Sequence, residues 1–332
     1  MNIVQFTLLI LLFVILNIIL VGHVYPIKID IDLSTKSTTS TTTSTTTSTS
    51  KNESTTVNKL DLDLDYTSIE FEPSLKQKFL NSIIIAGTCR NVGEDLPNVL
   101  NTIENLRKNV DKSVVIISEE GSSDNTRYVL LEYAKKHPRV KLLLKDKNLY
   151  PSRTVRIADG RNEILNYIRN NHIFNYFDYL LFLDLDNVNN NSTVADTFHH
   201  AIDTMNKNEE LLAIFPVSIH PFMYYDYWAL KMKPNFLENF LHDCPLDSAN
   251  SKRIIMETII ADAADKNKLI IVESAFNGAG LYRFNQVIKS NVLYDGVTCE
   301  HLIFNIYLNN SYPDKFLAIH PLWKCDEWQS NT

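Results

Sequence analysis

The apolar run Tyr179-Leu180-Leu181-Phe182-Leu183 stops abruptly at Asp184-Leu185-Asp186. It is too short for a helix and is bounded by polar residues, the pattern of a central strand buried on both faces of an α/β sheet. Ligands of open α/β sheets bind beyond the carboxyl ends of the strands. Two carboxylates delivered there cannot be core, because burying unpaired charge costs more than a strand returns. They ask for a cation. Oxygen ligands without a Cys or a nearby His favour Mg²⁺ or Mn²⁺, shared with a substrate phosphate. Asp-x-Asp is a short motif, and a solvated strand end with two incidental acids is the plain alternative, so the rest of the chain has to decide.

Strands and helices alternate on both sides of this run. Ser82–Ala86 is predicted as a strand, followed by the turn Gly87–Gly93 and a helix from about Leu96 to Val110, with Pro97 in its first turn where the missing N–H costs nothing. Ser113–Ser118 is a second strand, Asp124 caps a helix to about His137, and Val140–Lys145 is a third strand. A helix over Arg156–Asn171 then leads into Tyr179–Leu183. This alternation indicates βαβ units and a mixed, mostly parallel sheet flanked by helices.

Beyond Asn187 a helix over Val194–Met205 and a strand over Leu212–Val217 are expected. Tyr224-Tyr225-Asp226-Tyr227-Trp228, continuing to Pro234 and Cys244-Pro245, is aromatic and irregular, and reads either as a sugar platform or as ordinary packing. Leu269–Glu273 is a further strand, leading into Ser274–Arg283, where Gly278 and Gly280 would let backbone approach a ligand closely. Cys299–Asn305 opens a helix, and Phe316–Ile319 is a last strand ahead of His320-Pro321.

The start of the chain is different in kind. Ile3–Val21 is apolar apart from Gln5, Thr7 and Asn17, a length suited to a bilayer span of roughly 20 residues. A cleaved signal peptide would want a basic n-region and small residues before the cut, and neither is present, which favours an uncleaved anchor over residues 1–24. Ser34–Thr56 is nearly all Ser and Thr and has nothing to bury, so residues 25–79 read as a disordered, O-glycosylated stem ahead of a body at residues 80–332. Sequons at Asn52, Asn190, Asn191 and Asn309 fit a glycoprotein. The layout is that of a single-pass type II membrane protein of the endoplasmic reticulum or Golgi with a lumenal catalytic domain. A net charge of -7 argues against nucleic acid as a partner. The four cysteines, Cys89, Cys244, Cys299 and Cys325, have no zinc spacing and neither demand nor exclude a disulfide.

The polar residues at the strand ends form an ordered series. Thr88, Arg90 and Asn91 come first, then Glu119, Glu120 and Asp124, then Arg153, Arg156, Arg161 and Asn162, then Asp184 and Asp186, and finally Glu300, His301 and His320. Acids at the second strand can accept bonds from a base or ribose, arginines can neutralise a diphosphate, and two aspartates can hold the metal that bridges it. A sugar nucleotide needs this set, because its diphosphate leaving group develops charge.

Glu119-Glu120-Gly121-Ser122-Ser123-Asp124-Asn125-Thr126 resembles the Asp-Asp-Gly-Ser-x-Asp-x-Thr signature of family-2-like GT-A glycosyltransferases. Ala158–Asn162 resembles their Ala-Arg-Asn segment, and Leu183–Asp186 their DxD motif. Phe276–Arg283 and Cys299-Glu300-His301 are similar to segments of fungal capsule-type α-1,3-mannosyltransferases and related viral proteins. The resemblance covers roughly Ser82 to Trp323. Glutamates stand where the family-2 signature has aspartates, and Cys-Glu-His replaces its Glu-Asp pair.

The resemblance implies a GT-A (Rossmann-like) fold and a metal-dependent transfer of a sugar, mannose among the candidates, from a nucleotide-sugar donor to a glycan or glycoprotein acceptor. Thr88, Arg90, Glu119, Glu120, Asp124, Arg153, Arg156, Arg161 and Asp184 would hold the donor. Asp184 and Asp186 would hold Mn²⁺ or Mg²⁺, with His320 either a third ligand or a structural histidine. Asn277, Gly278 and Gly280 would form an acceptor loop. Glu300 is the general-base candidate, needing to reach the acceptor hydroxyl, with helix capping as its alternative role; His301 is a second catalytic candidate or the group that orients Glu300. Family-2 relatives invert and capsule-type enzymes retain, so the stereochemistry is open.

Two other readings compete. Asp184-Leu185-Asp186-Asn187-Val188 matches the nucleophile spacing of haloacid-dehalogenase-type phosphatases, with Asp184 as nucleophile; there, however, the motif lies on the first strand. A non-catalytic anchored glycan-binding protein would explain anchor and stem but not the ordered acids and arginines.

Overall fold

The computed structural model describes residues 66–73, 79–147, 150–220, 223–232 and 248–325. In chain order these contain β1 (Ser68–Glu70), β2 (Phe79–Cys89), α1 (Leu96–Lys108), β3 (Val110–Glu119), α2 (Thr126–Lys136), β4 (Val140–Leu144), α3 (Arg153–Arg169) and β5 (Tyr179–Leu183). The second half adds α4 (Thr193–Asp196), α5 (Phe198–Lys207), β6 (Leu211–Val217), β7 (Ile219–His220), β8 (Met223–Tyr224), β9 (Lys231–Met232), α6 (Ser248–Asp265), β10 (Lys268–Ser274), β11 (Ala279–Arg283), α7 (Phe284–Ser290), α8 (Glu300–Asn310) and β12 (Phe316–Lys324).

One sheet runs in the order β1-β10-β12-β6-β11-β5-β2-β3-β4, with β9 on β10. The run β5-β2-β3-β4 is parallel throughout, as the βαβ alternation predicts. β2 and β3 are rich in β-branched residues and β5 is all Leu and aromatic, and the side chains alternate between two apolar layers, as a pleated strand requires. Ile84, Ala86, Leu180 and Phe182 face one layer with α3, α6 and α8. Ile83, Ile85, Leu181 and Leu183 face the other with α1 and α5. Helix α1 shows why such helices dock: Leu96, Val99, Leu100, Ile103 and Leu106 are all buried, an i, i+3, i+4, i+7 stripe.

The expected β5 and the start of α1 at Leu96 coincide with the observed elements. The helix expected over Val194–Met205 is broken into α4 and α5. The Ser274–Arg283 stretch is not a loop: Ala279–Arg283 is β11, an antiparallel strand wedged between β5 and β6. The folded body also takes in residues before 80, since β1 pairs with β10 and the Tyr66 hydroxyl donates to Asp262 across 2.9 Å.

The membrane topology has to be corrected. No helix among the described residues is long and apolar enough to cross a membrane, and this overturns the type II, lumen-facing assignment. The Ile3–Val21 run, the Ser/Thr stem to residue 65 and Cys244 lie outside the described residues.

Candidate active site

The carboxyl ends of β2, β3 and β5 open onto a cleft with two lobes. The first, about 160 Å³, is lined by Thr88, Arg90 and Asn91 from the end of β2, Glu120 after β3, Arg156 of α3 and Asp186 after β5. The second, about 470 Å³, is lined by Tyr225, Asp226, Trp228, Phe276, Glu300 and His301. Arg153, Ile157, Arg161 and Asp184 belong to both walls.

Arg161 is the pivot. Its residue is 4% exposed, and its guanidinium donates to Asp184 Oδ1 across 2.9 Å from Nη2 and to Glu300 Oε1 from Nη1. It also lies over the rings of Phe276 and Tyr294, 5.3 and 5.4 Å from their centroids. A planar fork with several donors is the side chain suited to bridging two carboxylates. Burial pushes the carboxyls of both Asp184 and Asp186 up; Arg161 opposes the shift at Asp184, and each aspartate stands in a neighbourhood of further acids. Among the described residues Asp186 accepts only a long bond, 3.4 Å, from the Val188 N–H and so keeps oxygens for another partner. Arg90 and Arg153 stand exposed at the wall without an ion pair to any described carboxylate.

Glu120 is 3% exposed and its Oε1 has no hydrogen-bond partner among the described residues. Burial pushes its carboxyl up to about 7, with Lys145 working against the shift. A buried acceptor left open costs free energy unless something donates to it, and the residue lines the smaller lobe. Gly160 allows it: a Cβ at that position of α3 would lie 2.2 Å from Glu120 Oε1 and 2.8 Å from Thr88 Cγ2.

Several expected site residues have other work. Glu119 is fully buried, accepts from the Ser122 N–H at 2.5 Å and pairs with Arg127 at 2.6 Å, so it anchors the turn after β3 and lines neither lobe. Asp124 accepts from the N–H groups of Gly93 and Thr126, each at 3.0 Å, and ties the β2–α1 loop to the start of α2. His320 is fully buried, 4.3 Å from the Phe71 ring and 5.6 Å from His200. It is absent from both lobes because β12 is separated from β5 by β6 and β11. Among the described residues no three His, Cys, Asp or Glu side chains converge as metal ligands.

The expected acceptor loop is a structural hub. Gly278, at φ +87°, has its carbonyl accepting from the Asp184 N–H at 2.9 Å and from Asn189 Nδ2 at 2.8 Å. Asn277 Nδ2 donates to the Pro216 carbonyl at 2.8 Å, and its N–H donates to Asp226 Oδ2 at 3.2 Å. Gly280 faces Tyr282 and Phe215. The glycines thus admit the protein's own chain, not a ligand. His301 does not orient Glu300: its ring stacks on Phe276 at 3.4 Å, both ring nitrogens lack a described partner, and burial holds its pKa well below the usual range, leaving it neutral.

Asp226 is the site residue that the sequence did not reveal. It sits between aromatics in the stretch read as platform or packing, at φ +55°, with its carboxylate at the wall of the larger lobe. A single acid within an aromatic run after a fully buried strand was the available signal. The neighbouring Trp228 is 83% exposed at the rim of the same lobe.

The donor set fits a hard divalent ion: two carboxylate side chains two residues apart at a strand end, one of them almost unpartnered, with the remaining positions left to phosphate oxygens and water.

Residues 82–246 match the family model described as Glycosyl transferase family 2. That segment of the chain is a glycosyltransferase domain; Asn277, Glu300 and His301 lie beyond the match. None of the curated proteins matches the sequence. Among solved structures, the mannosyltransferase PcManGT from Pyrobaculum calidifontis in complex with GDP-Man and Mn²⁺ is similar at 11% identity and a TM-score of 0.49, over 78% of this chain and 61% of that one. S. aureus TarS 1–349 is similar at 13% identity and TM-score 0.43, over 75% and 59%. Glucosyl-3-phosphoglycerate synthase from Mycobacterium tuberculosis, in complex with Mn²⁺, UDP and phosphoglyceric acid, is similar at 9% identity and TM-score 0.42, over 75% and 71%. The chain therefore spans less than two thirds of the first two, and all three are too distant for any residue's role to be carried across.

Proposed function

We propose that this chain, with its glycosyltransferase family 2 domain, moves a sugar from a nucleotide-sugar donor to a hydroxyl group of a glycan or glycoprotein acceptor. The observation that carries the reading is the single buried arginine, Arg161, standing where a polar, arginine-lined lobe meets a larger, aromatic one. In this reading the nucleoside diphosphate occupies the smaller lobe and the sugar lies at the junction, facing the acceptor in the larger lobe.

Glu120 accepts from the nucleoside, most naturally a ribose hydroxyl, which would fill its open Oε1. Arg90, Arg153 and Arg156 face the diphosphate, where charge-assisted bonds are the strong ones. Asp184 and Asp186 would hold Mn²⁺ or Mg²⁺, which supplies positive charge against the leaving diphosphate. Arg161 keeps Asp184 aimed at that position and keeps Glu300 in the wall. Trp228, exposed at the rim, offers an apolar face to a sugar ring. The capsule-type resemblance of Phe276–Arg283 and Cys299–His301 makes mannose the sugar we propose.

The phosphatase alternative finds no support: β5 follows four earlier strands of the same sheet, and Asp184, the required nucleophile, is ion-paired to Arg161. Thermal unfolding of the full chain with GDP-mannose or UDP-glucose, with and without Mn²⁺, tests the reading. A ligand at one hundred times its Kd stabilises by about 2.7 kcal/mol. A Mn²⁺-dependent rise with one donor is expected; no rise, together with no cleavage of either donor, would refute it.

A further inference from the structure

Glu300, at the start of α8, occupies the position where a base for the acceptor hydroxyl is expected, yet its carboxylate is spent. Oε1 is bonded to the buried guanidinium of Arg161. The same lobe contains a second acid whose situation is the reverse. Asp226 has its carboxylate at the cavity wall, takes a 3.2 Å bond from the Asn277 N–H, and has no ion pair to a described cation. Its backbone holds φ +55°, a left-handed conformation that a non-glycine residue adopts only at a cost. Strain and an unpaired, partly buried carboxylate at one residue are two costs that a packing role does not explain.

From this geometry we infer that Asp226, and not Glu300, is the base that takes the acceptor's proton. The inference rests on the transferase reading above. In the step, the acceptor O–H bond breaks and its proton passes to an Asp226 carboxylate oxygen. The oxygen's electron pair forms the bond to C1 of the sugar, while the C1–O bond to phosphate breaks and its pair leaves with the nucleoside diphosphate. Displacement of this kind inverts the configuration at C1. Glu300 is then a positioning residue that steadies Arg161.

The surroundings suit the task. Burial pushes the Asp226 carboxyl up to about 7. Charged and titratable groups face it from every side: Glu300 and Cys299 at the start of α8, Arg161 from α3, Asp184 after β5 and Tyr225 beside it. The acids raise its proton affinity and Arg161 lowers it. A base poised near neutral pH is the efficient choice.

The test compares wild-type full chain with Asp226→Asn, Asp226→Ala and Glu300→Gln. The probes are GDP-mannose or UDP-glucose with Mn²⁺, and methyl α-mannoside and methyl β-galactoside as hydroxyl acceptors. Asp226→Asn is expected to lower turnover about 100-fold or more with donor Kd and melting temperature kept, and to lose the acid limb of the pH profile. Formate should restore part of the turnover of Asp226→Ala, and the product should carry the inverted anomer. Turnover of Asp226→Asn near the wild-type value, no rescue by formate, a matching loss of donor affinity, or a retained anomer would each overturn the inference. Wild-type protein that neither binds nor cleaves either donor would instead sink the transferase reading, before any variant is compared.

Discussion

Gly160 leaves α3 bare where it meets Glu120: a methyl group there would come within 2.2 Å of the carboxylate Oε1. In most helices a Gly→Ala change gains up to about 1 kcal/mol. Here the sign should reverse. Gly160→Ala must displace both Glu120 and Thr88, and overpacking of this kind costs about 1–3 kcal/mol. Chemical denaturation gives the stability change, and donor titration should show weaker binding in the same variant. A stabilised variant with intact donor binding would remove Glu120 from the donor site.

Replacing Arg161 should be the most damaging single change in the cleft. Arg161→Ala leaves the buried Glu300 and the half-buried Asp184 without their cation, a loss of about 3–5 kcal/mol. Arg161→Lys keeps the charge but cannot bridge both acids as a planar fork does. It is expected to fold, with turnover reduced far more than stability. Paired melting curves and turnover assays separate the two effects.

Asp186→Asn should keep the fold, since the amide oxygen can still accept from the Val188 N–H. The Mn²⁺-dependent part of the donor's thermal stabilisation should vanish, while the metal-free part persists. An unchanged Mn²⁺ increment would show that the metal is held elsewhere.

Glu120 makes a prediction about pH. Its folded-state pKa lies near 7 and its unfolded value near 4.3, so between these the native state holds a proton that the unfolded chain has lost. Stability contributed by this group is full below the lower value and is lost as pH rises through 7, by roughly 4 kcal/mol. Glu120→Gln should therefore be more stable than wild type at pH 8 and about equal at pH 4, measured by urea denaturation. The same substitution should weaken donor binding above pH 7, where the carboxylate would be the acceptor.

Much of this cleft is legible in the residue order, because local signals place it. The short apolar run ending in Asp184-Leu185-Asp186 could hardly be anything but a buried strand, and β5 has the expected limits. Thr88 and Glu120 likewise follow from strand ends and Arg156 from a helix start, with Arg161 further along the same helix. What failed depended on which strands become neighbours. His320 lies at a plausible point in the motif order, but β6 and β11 intervene between its strand and β5. Gly278 and Gly280 read as room for a ligand when they make room for β11, whose pairing with β5 and β6 is long-range. Glu119 and Glu120 are equivalent by composition; only the alternation of side chains along β3 and its turn sends one to Arg127 and the other to the cleft. Asp226 depends on Asn277, which is distant in sequence.

The Asn277-Gly278 pair bears on how the two acids of the cleft move. One amide of this turn holds the Asp226 side chain, and the next carbonyl holds the Asp184 backbone. Two acids from unrelated stretches of chain are thereby hung from adjacent links, and the gap between them is fixed like the opening of a pair of calipers. A distortion of that turn would be read out at donor and acceptor sides together, so lesions there should lower both affinities at once, where lesions in either wall lower one.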